Sequence, residues 1–104
     1  MEVGSRLSDP LIDKLFAAVL TLQSKEECYL FFEDLCTVGE VHSLAQRLEV
    51  AKMLAENKTY VAIGEQTGAS TATISRVKRF LHYGAGGYRL VLQRLQEETP
   101  KQEI

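Results

Sequence analysis

The chain has 104 residues, of which 45% are hydrophobic and 25% are charged. This composition is typical of a folded globular protein and excludes a largely disordered one, and the length suits a single domain over residues 1–104. The formal net charge of -2 at pH 7 argues weakly against nucleic-acid binding by the molecule as a whole. No apolar run approaches the roughly 20 residues that cross a bilayer, and the N-terminus has no signal pattern, so we expect a cytoplasmic protein without membrane contact.

The first two predicted helices are rich in apolar side chains. Ser8 is expected to cap a first helix that has Pro10 in its first turn and runs to about Gln23. Ser24 and Glu27 form an S-x-x-E capping box that begins a second helix. That helix has apolar or thiol side chains on more than one side: Cys28, Tyr29, Leu30, Phe31, Phe32, Leu35 and Cys36. Other apolar surface must cover this helix, so we expect its two cysteines to be buried. We also expect them to be free thiols, because about two helical turns separate them.

Helical spacing also predicts a long third helix and a sixth, last helix. Thr37 and Glu40 repeat the capping box and begin a helix to about Asn57. Its apolar stripe consists of Val41, Leu44, Leu48, Ala51 and Ala55. After the loop GAGG, the last helix has the stripe Tyr88, Val91, Leu92 and Leu95. Residues 98–104 are expected to form a frayed tail, and without any competing strand pattern the predicted fold class is all-α.

Between these helices, residues 60–79 (YVAIGEQTGASTATISRVKR) have the pattern of a helix-turn-helix, which we place at about 59–83. Gly64 is the small residue expected where the two helices meet, and Gly68 supplies the left-handed turn. The predicted helix caps are Thr59 and Ser70. The predicted apolar anchors are Ile63, Ile74 and Val77.

The second helix of this motif carries the predicted DNA-binding residues: Ser70, Thr71, Ala72, Ser75, Arg76, Lys78 and Arg79. Short hydroxyl and methyl side chains near a helix N-terminus can approach base edges, whereas cations can contact phosphates. Residues 66–96 contain five cations and no acid. Because salt screens charges beyond about 10 Å at ~0.1 M, this local surplus can attract DNA to an acidic chain. We therefore expect this helix to bind double-stranded DNA.

The sequence also resembles the Trp repressor superfamily. LAQRLEVAKML (44–54) resembles the long central helix of that family, and TGASTATISR (67–76) resembles its recognition helix. Together with ECYLFFEDLC (27–36), the second string most resembles the tryptophan-repressor-related branch called YerC/YecD. The resemblance implies six helices in an intertwined homodimer, in which the partner chain would cover the second helix.

The same resemblance implies an effector pocket whose matching positions are Thr37, Arg47, Thr73, Arg76, Val77 and Phe80. Arg47 and Arg76 match the two arginines that flank the indole of bound tryptophan. Val77 and Phe80 stand where tryptophan-sensing members have glycine and serine, and their added bulk argues against tryptophan as corepressor. Two alternatives stay open: the arginines form salt bridges or helix caps, or the pocket binds a different small effector.

Three classes of function fit these residues to different degrees. A dimeric, sequence-specific transcriptional regulator, acting as a repressor, fits the whole set and would read a near-palindromic operator with half-sites about 34 to 36 Å apart. The alternative is a helical protein–protein interaction module associated with the transcription machinery. An enzyme is disfavoured because neighbouring acids such as Glu26 and Glu27 diverge by about 100° on a helix. The sequence has no Cys/His cluster with the spacing of metal ligands, so neither a metal nor a cofactor is predicted.

Overall fold

Six α-helices make up most of the computed structural model, which describes residues 6–98. Their bounds are α1 Pro10–Val19, α2 Lys25–Leu35, α3 Val38–Ala55, α4 Tyr60–Thr67, α5 Thr71–Tyr83 and α6 Gly87–Glu98. No strand occurs within residues 6–98, and the all-α, six-helix prediction is confirmed. The chain divides into a first unit that ends at Val41 and a second that begins at His42, inside α3. The prediction of a single domain stays a prediction.

The first helix begins one residue later than the sequence suggested. Asp9 is the N-cap, and its carboxylate oxygen Oδ1 accepts hydrogen bonds from the backbone N–H groups of Leu11 at 2.7 Å and Ile12 at 3.4 Å. The choice of Ser8 as cap was therefore wrong. A carboxylate at this position also interacts favourably with the positive end of the helix dipole.

The same helix ends at Val19, so the prediction that it continues to Gln23 was also wrong. After Val19 the backbone N–H of Thr21 donates to the carbonyl of Ala18 rather than four residues back. The Thr21 hydroxyl donates to that same carbonyl at 2.6 Å. A threonine side chain that bonds to the nearby backbone competes with helix continuation, which explains the early stop.

The second helix begins where its capping residues predicted. The backbone N–H of Glu27 donates to Ser24 Oγ at 3.1 Å, and Glu27 Oε1 accepts from the backbone N–H of Gln23 at 2.8 Å. In the single chain Cys28 is exposed and Cys36 is only partly buried, so the prediction of buried thiols was wrong although both are free. No described residue of α1 or α2 is buried.

The third helix begins with the predicted reciprocal capping box. Glu40 Oε1 accepts from the backbone N–H of Thr37 at 2.8 Å, and Thr37 Oγ1 accepts from the backbone N–H of Glu40 at 3.1 Å. The helix ends at Ala55, before the predicted Asn57, which has a left-handed φ of 64°. An asparagine adopts this conformation more readily than most residues, and it breaks the helix.

Of the predicted apolar stripe of α3, Ala51 belongs to the buried core, whereas Leu44, Leu48 and Ala55 are exposed. Leu44 and Leu48 are 48% and 36% exposed, whereas the buried residues of this helix are Val50, Ala51 and Met53. The core of the second unit comprises Val50, Ala51, Met53, Ile63, Ala69, Ile74 and Val77. Leu54, Tyr60, Tyr88 and Leu92 pack against it. This core therefore joins α3, α4, α5 and α6.

The last helix runs through Glu98 and so includes the first residue of the predicted tail. The remainder of that prediction, at residues 99–104, lies outside the described residues. Within residues 6–98, no helix combines the length and the apolar character that a membrane span requires.

Candidate nucleic-acid interface

The turn between α4 and α5 is built from the capping residues that the sequence indicated. Thr59 Oγ1 accepts from the backbone N–H of Ala62 at 3.1 Å and so caps α4. Gly68 ends that helix with a φ of 75°, and its N–H donates to the carbonyl of Gly64 at 2.9 Å. A residue with a Cβ atom is strained in this left-handed conformation, which explains the glycine. The predicted cap at Thr59 and the predicted left-handed turn at Gly68 are both confirmed.

Ser70 caps α5, also as predicted. Its Oγ accepts from the backbone N–H of Thr73 at 3.1 Å and donates to Thr73 Oγ1 at the same distance. This hydroxyl is therefore engaged in local hydrogen bonds. Ser70 is one of the predicted DNA-binding residues, and its observed role in the chain is that of a helix cap.

The two helices of the motif are held by the predicted anchors. Ile63, Ile74 and Val77 are at most 2% exposed and belong to one core cluster. A Cβ atom added at Gly64 would lie 3.5 Å from the carbonyl oxygen of Ala69, an ordinary contact distance. The close approach at Gly64 is therefore to the turn backbone, and it leaves room for a methyl group.

A further brace of the turn has no simple signal in the sequence. The Thr67 hydroxyl donates to the carbonyl of Ile63 at 2.7 Å and accepts from the backbone N–H of Ala69 at 3.1 Å. Gln46 Nε2, on α3, donates to the carbonyl of Thr67 at 3.1 Å. The hydrogen bond from α3 satisfies an orphan carbonyl at the C-terminus of α4, so the turn is tied to the rest of the second unit.

All seven predicted DNA-binding residues are exposed: Ser70, Thr71, Ala72, Ser75, Arg76, Lys78 and Arg79. The opposite side of α5 is buried through Ile74, Val77 and Leu81. Lys52 pairs with Glu56, on α3 and just after it, and no ion pair within residues 6–98 involves a cation of α5. No carboxylate among the described residues therefore neutralises the cations of α5, which remain available for an anion.

The exposed face of α5 has two edges. At about 100° per residue, Thr71, Ser75 and Lys78 lie along one edge, whereas Thr73 and Phe80 lie along the other. Thr73 is partly buried and Phe80 is 37% exposed. The residues predicted for DNA and those predicted for an effector thus lie largely on different edges of one helix.

A residue that the sequence analysis missed lies beside the first edge. The hydroxyl of Tyr60, the first residue of α4, is 3.3 Å from Ser75 Oγ. The Nζ atom of Lys78 lies 5.8 Å from the centroid of the Tyr60 ring, within the range of a cation–π interaction. The only sequence signal is an aromatic residue at the start of the motif, which is equally typical of a core position.

The residues matched to an effector pocket have different surroundings. Val77 belongs to the core, and Arg47 and Arg76 are exposed. Neither arginine side chain makes an ion pair or hydrogen bond within residues 6–98, and the two alternatives for these arginines stay predictions. In the first unit, the Thr37 hydroxyl caps α3 by accepting from the backbone of Glu40.

Acidic, thiol and imidazole side chains do not converge in the described part of the chain. Within residues 6–98, no three His, Cys, Asp or Glu residues are placed to hold a metal ion. The chemistry available at the exposed face of α5 is consequently hydrogen bonding by hydroxyls and attraction of anions by cations.

Comparison with known proteins places this geometry in a family. The model of the Trp repressor protein family matches residues 11–96. The chain belongs to the Trp repressor family. The resemblance seen in the sequence is thereby confirmed. The helix-turn-helix formed by α4 and α5 lies within the matched residues of this Trp repressor family protein.

Individual relatives of this Trp repressor family protein are similar over most of their length. The Bacillus subtilis (strain 168) protein YerC, whose function is uncharacterised, is 59% identical over 86 residues, which are 83% of each chain. A crystal structure of a candidate Trp repressor from Staphylococcus aureus has a TM-score of 0.84 at 54% identity, covering 91% of this chain and 95% of that one. A TrpR-like protein from Eubacterium eligens ATCC 27750 has a TM-score of 0.85 at 53% identity, covering 92% and 98%.

Proposed function

We propose that this Trp repressor family protein is a sequence-specific DNA-binding transcriptional regulator that acts as a repressor through α5. The observation that carries the proposal is the exposed face of α5, where hydroxyls and unneutralised cations lie opposite the buried anchors Ile74, Val77 and Leu81. A rigidly held helix with such a face fits the major groove, with its N-terminal residues at base edges. Such a regulator would act in the cytoplasm, where it meets the DNA.

The protein acts as a homodimer in this proposal. The support comes from the first unit, where Leu11, Tyr29 and Leu30 are 75%, 76% and 69% exposed. Large apolar side chains exposed on both α1 and α2 are unfavourable in water and favour an interface that covers them. A second copy that covers it would relate two α5 helices by two-fold symmetry, so the operator would be nearly palindromic with half-sites about 34 to 36 Å apart.

An effector other than tryptophan remains part of the proposal. Val77 is 2% exposed and packed in the core, so a bulky side chain fills the position where tryptophan-sensing members have glycine. Arg47 and Arg76 are exposed without partners among residues 6–98, which leaves both guanidinium groups able to bind an anionic ligand.

Selection of bound sequences from a random pool of double-stranded DNA tests the proposal. Enrichment of a near-palindrome is the expected result, and a shift in the enriched sequence or in affinity on adding a metabolite extract would reveal an effector. Failure to enrich any sequence, by a protein that is folded and dimeric, would overturn sequence-specific binding.

The exposed apolar residues of the first unit also favour a second candidate, a helical protein–protein interaction module. A protein of the transcription machinery could cover the same surface that we assign to a second copy. The two candidates differ in their need for the cations of α5. Retention on a heparin column that is unchanged by substitution of Arg76, Lys78 and Arg79 with alanine would favour the interaction module.

A further inference from the structure

Tyr60 touches two residues of the predicted DNA-binding face although it lies on the other helix of the motif. Its hydroxyl contacts Ser75, and its ring contacts the ammonium group of Lys78. We propose that Tyr60 is a positioning residue for DNA recognition. It sets the hydrogen-bonding state of Ser75 and the location of Lys78. The inference rests on the proposed function and deepens it, because it adds a residue that determines specificity without itself reading a base.

The hydroxyls of Tyr60 and Ser75 form a close pair. At 3.3 Å between Tyr60 Oη and Ser75 Oγ, either atom can be the donor. The phenol is the more acidic of the two hydroxyls, which favours Tyr60 as the donor and Ser75 as the acceptor. The serine proton is then free for an acceptor outside the protein, such as N7 or O6 of guanine, N7 of adenine or O4 of thymine. Tyr60 thereby favours Ser75 as a donor toward the groove.

The ring of Tyr60 lies beside the side chain of Lys78. A lysine ammonium is a point charge on a flexible stem, and ordering it costs conformational entropy. A carboxylate could hold Lys78 in place, but it would also neutralise the charge that a phosphate requires. The ring of Tyr60, 5.8 Å from Nζ, restricts the ammonium group while leaving its positive charge in place. This arrangement suits a cation that must contact the DNA backbone.

Tyr60 is held firmly enough to position Ser75 and Lys78. Tyr60 is partly buried and packs against the core cluster that contains Ile63 and Ile74. It directly follows the cap Thr59, whose hydroxyl holds the first turn of α4. Because Ser75 and Lys78 are three residues apart on α5, they share one edge and a single ring reaches both.

The experiment uses the full chain and the operator that wild-type protein selects. Tyr60→Phe removes only the hydroxyl, and Tyr60→Leu removes the ring as well. For each variant, dissociation constants are measured on the operator and on all single-base variants of it, over a range of salt concentrations. Thermal unfolding of each variant shows whether it is folded. Tyr83→Phe is the matched control, because Tyr83 is 87% exposed at the end of the same α5 helix.

We expect Tyr60→Phe to reduce base discrimination about threefold to tenfold at one position of each half-site, the range that the loss of one neutral hydrogen bond gives. The salt dependence should stay unchanged. Tyr60→Leu should weaken binding to every sequence by a further factor of about two to five, as expected for the loss of an exposed cation–π contact. In a Ser75→Ala background, Tyr60→Phe should change discrimination no further, because its hydroxyl acts through Ser75.

Unchanged discrimination in folded Tyr60→Phe would overturn the inference, as would an additive loss in the double variant with Ser75→Ala. A wild-type protein that selects no DNA sequence would overturn the proposed function and this inference together. Selection by wild type combined with identical selection by Tyr60→Phe would overturn the inference alone, so the two failures are distinguishable.

Discussion

Hydroxyl and cationic side chains on the surface of α5 differ in what they can report about a DNA sequence. Ser75 and Thr71 carry short groups that can donate to or accept from a base edge, and the pattern of such groups differs between base pairs. Arg79 and Lys78 carry charges that would meet phosphates in the proposed complex, and phosphates are the same at every step. At the scale of single residues, specificity and affinity should therefore be separable by substitution.

Replacement of Ser75 by alanine tests the specificity half of that separation. The Ser75→Ala variant should lose about 0.5 to 1.5 kcal/mol of discrimination at one base position, the contribution of a single hydrogen bond. Its average affinity across unrelated sequences should stay close to that of wild type. Competition binding against a panel of single-base operator variants provides the measurement, and a Ser75→Ala profile identical to that of wild type would show that this hydroxyl reads no base.

Replacement of Arg79 by alanine tests the affinity half. The Arg79→Ala variant should bind all sequences more weakly and should flatten the slope of log K against log salt by about one unit per subunit, because one phosphate contact is lost. Arg94→Ala, on α6 and outside the predicted DNA-binding set, is the control of equal charge. Equal slopes for the Arg79→Ala and Arg94→Ala variants would place Arg79 away from the DNA backbone.

At the scale of helices, the turn of the motif depends on two glycines that have different roles. Gly68 has a φ of 75° and provides the left-handed end of α4, whereas Gly64 lies inside α4 with normal helical geometry. The space beside Gly64 admits a methyl group at 3.5 Å from Ala69 O. The two positions should therefore respond in opposite ways to the same substitution.

Alanine at Gly68 should destabilise the fold by about 1 to 2 kcal/mol, the cost of a left-handed conformation for a residue with a Cβ atom. Alanine at Gly64 should stabilise it by about 0.5 to 1 kcal/mol, because glycine inside a helix loses more backbone entropy than alanine. Chemical denaturation of the two variants measures both free energies of unfolding. Destabilisation of similar size at both positions would mean that the helices approach more closely at Gly64 than the structure indicates.

At the scale of the whole molecule, the two units differ in how much of their apolar surface is buried. The second unit has a buried core, whereas no described residue of α1 or α2 is buried. Apolar burial is the main driving force of folding, so helices without buried residues gain little stability by themselves. This contrast is what the proposed homodimer explains.

Replacement of Leu30 by glutamate tests the proposed homodimer. Leu30 is 69% exposed on α2, and a charge there would be desolvated twice in a symmetric interface, so the dissociation constant should rise at least about tenfold. Light scattering after size-exclusion chromatography measures the mass at several concentrations. Val61→Glu is the matched control, because Val61 is 70% exposed on α4 in the second unit. If Leu30→Glu and Val61→Glu leave the mass at the same value, α2 does not form the interface.

The sequence alone was sufficient for most of the features that depend on near neighbours, although the predicted cap and end of α1 were wrong. The Thr37–Glu40 box, the Thr59 and Ser70 caps and the left-handed Gly68 all appear where the pattern placed them. Each rests on hydrogen bonds or dihedral preferences within four residues, so it is visible in a short stretch of sequence. The exposed face of α5 followed from the same local periodicity.

Only the tertiary structure decided which apolar faces are buried and which distant side chains meet. Leu44 and Leu48 fit the helical stripe of α3 but stay partly exposed, whereas Val50 and Met53 form the core. The contact of Tyr60 with Ser75 joins residues 15 apart, and no local pattern encodes it. Backbone hydrogen bonds of a helix are decided within one or two turns, but burial depends on which surfaces the whole fold brings together, and this second choice is made only in three dimensions.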